Sequence, residues 1–77
     1  MTFDEAIGHT VRATRELQHV SMRELAESLG VTTSALSRLE NGKTQLNIVK
    51  LRKIARRLKT EGSTIVERAE KLWGAYR

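Results

Sequence analysis

Lys43, Lys50, Arg52, Lys53, Arg56, Arg57 and Lys59 follow one another with no acid between them, and upstream of Lys43 the acids outnumber the bases. Such a run is the chemistry of a polyanion binder, and equally that of a solvated helix face. The formal charge of +5 over 77 residues points to a polyanionic partner. Phe3, Trp73 and Tyr76 are the only aromatic residues, too few and too terminal to form a stacking platform for single strands. Bond-making chemistry is poorly represented. Cysteine is absent, and the two histidines, His9 and His19, fall on different helical faces by their spacing. Asp4, Glu5, Glu16, Glu24, Glu27, Glu61, Glu67 and Glu70 read as caps and surface pairs rather than a converging acid–base set. Glycines occur singly, without a phosphate-binding loop pattern. No catalytic site, metal site, cofactor or small-molecule ligand is expected.

The elements that must carry these cations are helical, because no apolar run alternates as a strand requires. Periodicity and caps predict an all-α bundle of about five helices. Thr2 with Glu5 is a capping box, and Phe3, Ile7, Val11 with Ala6, Ala13 and Leu17 line one face of a first helix ending near Gln18. Ser21 with Glu24 is a second box, with Val20 and Leu25 at the positions of a hydrophobic staple. Leu25, Ala26 and Leu29 are the inner face of this short helix, and Gly30 ends it. Thr32 caps a third helix whose Leu36 and Leu39 face inward, closed at Asn41-Gly42. Lys43 to Leu46 reads as a loop. Asn47 caps a fourth helix with Ile48, Leu51, Ile54, Ala55 and Leu58 towards the core and the basic residues outward. Gly62 breaks the pattern, and a Thr64–Glu67 box opens a last helix with Ile65, Ala69, Leu72 and Tyr76 at helical spacing.

Two short helices joined by a glycine-containing turn, sealed by apolar residues at fixed offsets, meet the needs of a helix-turn-helix. Here the seal is Leu25, Leu29, Val31, Leu36 and Leu39, with Ala26 allowing close approach and Thr33, Ser34, Ser37 and Arg38 left outside. Ser21-Met22-Arg23-Glu24-Leu25-Ala26, Leu29-Gly30-Val31 and Leu36-Ser37-Arg38-Leu39-Glu40-Asn41-Gly42-Lys43 resemble the Xre/Cro, lambda-repressor-like family of regulators, over roughly Ile7 to Leu58. The resemblance implies a third helix in the DNA major groove, with Thr33, Ser34, Ser37 and Arg38 as base readers. It also implies phosphate contacts from Arg23, Thr32, Asn41, Lys43, Thr44 and Asn47. The planar fork of Arg38 can bond O6 and N7 of guanine together, while Ser and Thr hydroxyls serve either base edge. Arg38 could instead pair with Glu40 or Glu24, and Ser37 could bond back to its own helix. Relatives pair an arginine late in the first helix with a glutamate ending the recognition helix, which implies an Arg15–Glu40 scaffold pair. Three positions depart from the family pattern. Met22 stands where a phosphate-touching glutamine is usual, with Arg23 as its partial replacement. His19 takes a glycine position that requires positive φ, and Leu46 replaces a proline.

The length predicts one domain over residues 1–77, with the helix from about 64 to 77 as a dimerisation element. No signal peptide or membrane span is evident, so the expected setting is cytoplasmic. The function this implies is a sequence-specific regulator of transcription, a repressor binding an inverted repeat in double-stranded DNA as a homodimer. Ile65, Ala69, Leu72, Trp73 and Tyr76 are the expected seam. The competing reading is an antitoxin-type protein-interaction module on the same fold.

Overall fold

The first helix starts where the Thr2 box places it. Glu5 accepts a hydrogen bond from the Thr2 N–H at 2.7 Å, and Thr2 Oγ1 accepts one from the Glu5 N–H at 3.1 Å. The computed structural model describes residues 1–76, and these form α1 (Phe3–Leu17), α2 (Met22–Leu29), α3 (Thr33–Glu40), α4 (Ile48–Arg57) and α5 (Gly62–Tyr76). Arg77, the last position of the expected terminal helix, lies outside the described residues. The Ser21 box opens α2, Thr32 Oγ1 accepts from the Ala35 N–H at 3.1 Å, and Asn47 Oδ1 accepts from the Lys50 N–H at 2.8 Å.

Helices α1 to α4 end in a common manner. Residues in the left-handed region follow them: His19 (φ 57), Gly30 (φ 69), Gly42 (φ 71) and Lys59 (φ 55). The next N–H then reaches back over the last turn, from Val20 to Arg15, Val31 to Ala26, Lys43 to Arg38 and Thr60 to Ala55. This closure satisfies carbonyls that the helix end would otherwise orphan. His19 adopts the positive φ expected of it, whereas Lys59 does so with no glycine or asparagine to announce it.

The core is built from Ala6, Ile7, Val11, Leu25, Leu36, Leu39, Ile54, Leu58, Ile65 and Ala69, with α5 packed chiefly along α1. Phe3 and Trp73 close that pair of helices edge to face, ring centres 5.5 Å apart and planes at 79°. Four sequence expectations need correcting. Leu17 is 77% exposed and Ala13 is exposed too, because α1 instead buries Gly8, Thr14 and Arg15, with Gly8 and Arg15 set against α3. Ile48 is 70% exposed, and Leu46, two residues earlier in the loop, packs on the core instead. Helix α5 starts at Gly62, with the Glu61 carbonyl accepting from the Thr64 and Ile65 N–H groups, so the Thr64–Glu67 box is not the helix start. Ile65 and Ala69 are fully enclosed by their own chain rather than left for a partner.

The capping boxes predict an acid response. The Thr2 backbone N–H, then its side chain, holds the Glu5 carboxyl below its ordinary 4.5. Ser21 does the same for Glu24. A depressed folded-state pKa means stabilisation that is complete above the ordinary value and lost as pH falls through the folded value. The double variant Glu5→Gln, Glu24→Gln should therefore lose less stability than the wild type on acidification from pH 4.5 downward. Parallel melting-temperature curves for the two proteins would remove the boxes from the acid response.

Candidate nucleic-acid interface

Gly30 sets the turn that defines the site. Its left-handed φ of 69 carries the chain from α2 into α3 within three residues, at no steric cost to glycine. Leu25, Ala26 and Leu29 then meet Leu36 and Leu39 in the core. With the apolar side of α3 committed inward, Thr33, Ser34 and Arg38 are exposed on the other side and Ser37 lies between, half-buried. Spacings of one, four and five residues from Thr33 put these four side chains on one helical face.

Both acids that could have neutralised Arg38 are held elsewhere. Glu40 receives Arg15 Nε at 2.8 Å and Nη2 at 3.1 Å, and Glu24 receives Arg57 Nη2 at 3.4 Å. Among the described residues no carboxylate lies within 4.0 Å of the Arg38 guanidinium. The fork is therefore available to a ligand. Ser37 does not bond back to its helix; its backbone carbonyl and hydroxyl accept from Asn41 Nδ2 at 2.8 and 3.4 Å. Asn41 is thus occupied as the C-cap of α3, and a phosphate would compete for its amide.

The phosphate candidates surround this face. Thr32 and Asn47 each spend an acceptor oxygen on a helix N-terminus, which leaves hydroxyl and amide donors for an anion. Arg23 pairs with Glu27 at 3.4 Å, an exposed pair worth about 0–1 kcal/mol and readily exchanged for phosphate. Lys43 and Thr44 are exposed in the loop. Two residues not singled out as phosphate contacts join them: Gln45 and Lys50 line, with Arg38 and Thr44, a depression of about 130 Å³ beside α3. Lys50 had a signal, its place in the cation run; Gln45 had none. The α5 candidates divide differently. Ile65 and Ala69 are core, Leu72 and Trp73 are half-buried, and Tyr76 is exposed.

A short helix packed over a second one, with a row of hydroxyls and a free guanidinium outward and donors at its rim, defines a helix-turn-helix DNA-binding domain. A family model described as helix-turn-helix matches residues 11–65. The chain belongs to the Xre, lambda-repressor-like family of helix-turn-helix transcriptional regulators, which are DNA-binding proteins and not enzymes. It is 40% identical over 62 residues to the uncharacterized HTH-type transcriptional regulator Rv0474 of Mycobacterium tuberculosis, covering 80% of this chain and 44% of that one. It is 33% identical over 64 residues to the uncharacterized regulator y4wC of Sinorhizobium fredii, covering 83% and 45%. The chain thus spans under half the length of these curated relatives. Its fold is similar to that of the clp gene regulator ClgR of Corynebacterium glutamicum, with TM-score 0.93, 27% identity, and 97% of this chain and 80% of that one covered. The competence regulator ComR of Streptococcus vestibularis is similar over 86% of this chain and 22% of its own, with TM-score 0.78 and 27% identity. Among the described residues no helix is long and apolar enough to cross a membrane.

Proposed function

We propose that this chain is a cytoplasmic, sequence-specific repressor that binds an inverted repeat in duplex DNA as a homodimer, with α3 in the major groove. The observation that carries this reading is the unpaired Arg38 guanidinium, flanked by Thr33, Ser34 and Ser37 on the outward face of α3. Arg38 reads a guanine in each half-site, and Arg23, Thr32, Lys43, Thr44 and Asn47 set the register on phosphate, with Asn41 joining once its cap bond yields. The domain is residues 1–77 with α5 as the dimerisation element. Its seam is smaller than the sequence suggests, restricted to Leu72, Trp73 and Tyr76.

The test compares Arg38→Ala with Lys43→Ala on a site selected from random duplexes and on every single-base variant of it. Arg38→Ala should lose about 1–3 kcal/mol on the selected site and little on sites already lacking the guanine. Lys43→Ala should weaken all sites alike and reduce the salt slope by about one unit. Equal losses on every site for Arg38→Ala would make it a positioning residue and leave specificity to Thr33 and Ser34. Dimerisation has its own measurement. Sedimentation should show two chains per full site, weakened by Tyr76→Ser, and a single chain on the full site at saturating protein would exclude the twofold reading.

A further inference from the structure

Helix α4 has two opposite faces of very different character. Leu51, Ile54, Ala55 and Leu58 lie in the core, and directly across the helix Val49, Arg52, Lys53 and Arg56 line an open groove of about 280 Å³. Their spacing of three, four and seven residues from Val49 makes one continuous stripe. Val49 is 63% exposed, and Ile48 beside it is 70% exposed.

The cations of this stripe have no ion-pair partner among the described residues, although Glu61 adjoins them past the helix end, lining a neighbouring depression with Arg52 and Arg56. Arg12, Arg15, Arg23, Arg57 and Lys71 each have a carboxylate within 4.0 Å, while among the described residues Arg52, Lys53 and Arg56 have none. Helix α4 contains no acid of its own, so Arg52 and Lys53 both stand one turn from Arg56 and repel it. The groove therefore gains from any carboxylate placed in it.

We infer that the Val49–Arg52–Lys53–Arg56 stripe of α4 docks an acidic segment of a protein partner, with an apolar side chain seated on Val49 and carboxylates on the three cations. Charge and apolarity together select this occupant. A second copy meeting the stripe about a twofold axis would set cation against cation. A DNA backbone would satisfy the cations but offers nothing to the exposed valine and isoleucine. The surface also lies around the helix from Lys50, which borders the depression beside Arg38. A partner here therefore leaves the base-reading face open, and a regulator could hold operator and protein together.

The experiment uses a fluorescein-labelled synthetic peptide with leucines among aspartates and glutamates at helical spacing. A second peptide of equal charge has serine in place of leucine. The leucine peptide should bind the wild type more tightly than the serine peptide. Binding should weaken by about tenfold in the triple variant Arg52→Gln, Lys53→Gln, Arg56→Gln. Val49→Ser should abolish the preference for leucine, while both variants keep wild-type operator affinity and melting behaviour. Equal binding of the two peptides by the wild type would overturn the proposal, as would undiminished peptide binding by the triple variant. A fall in the triple variant's operator affinity, with the salt slope reduced by about three units, would assign the stripe to DNA phosphate instead.

Discussion

Glu40→Ala should remove about 3–5 kcal/mol of stability, enough to unfold much of a domain of this size. The Arg15 and Glu40 side chains are 9% and 2% exposed, and the guanidinium meets the carboxylate through two parallel bonds, at 2.8 and 3.1 Å. Those bonds push the arginine pKa up, outweighing the burial that would lower it. Arg15 Nη1 also donates to the Val20 carbonyl at 3.1 Å, so one side chain ties α1 to the turn before α2 and to the last residue of α3. Truncating the acid strands a buried cation. Replacing both partners, Arg15→Met with Glu40→Leu, removes the desolvated charges together and should cost much less than either single change. Chemical denaturation of the four proteins in a double-mutant cycle measures this. A Glu40→Ala loss under about 1 kcal/mol would show that the pair carries no stability in excess of a surface bridge.

Gly8→Ala should destabilise by about 1–3 kcal/mol or more, although glycine to alanine inside a helix is ordinarily a gain of about 1 kcal/mol. The sign reverses because of where α1 and α3 cross. A Cβ on Gly8 would lie 2.4 Å from the Leu39 carbonyl oxygen and 2.5 Å from that of Glu40, and backbone cannot swing aside as a side chain can. The end of α3 would have to move off α1, taking the outward face of Thr33, Ser34, Ser37 and Arg38 with it. Operator affinity should therefore fall beyond what the loss of folded protein explains. Gly74→Ala in α5 is the control, since nothing lies within 4 Å of its added Cβ. A stabilised Gly8→Ala protein with intact operator binding would mean that the helices tolerate wider separation.

Helix starts were legible wherever a side chain caps its own backbone, as at Thr2, Ser21, Thr32 and Asn47, because that information lies within three residues. The Arg15–Glu40 pair and the positive φ of His19 came from family resemblance and hold in the structure. What escaped depends on partners distant in sequence. The inward face of α1 is rotated away from Ala13 and Leu17 because Gly8 and Arg15 meet α3, a contact that an apolar count cannot register. Ile65 and Ala69 have the spacing of a spare stripe, but both are buried by the packing of α5, chiefly along α1. Thr64 and Glu67 have the spelling of a capping box, but the Glu61 carbonyl receives the first helical bonds, so the spelling falls inside the helix. At the site, the outward set on α3 followed from Leu36 and Leu39 facing in. The freedom of Arg38 did not, since it required knowing where Glu24 and Glu40 were engaged.

The edge-to-face contact of Phe3 with Trp73 brings the beginning of the first helix against the late part of the last. Trp73 is also the only tryptophan of the chain. Its ultraviolet emission is therefore a native optical gauge, with no dye attached, of whether α1 and α5 are closed on each other. Because the indole sits on α5 and Thr33, Ser34, Ser37 and Arg38 on α3, a change in that emission during a titration would report an event at the α1–α5 contact rather than at the outward face of α3.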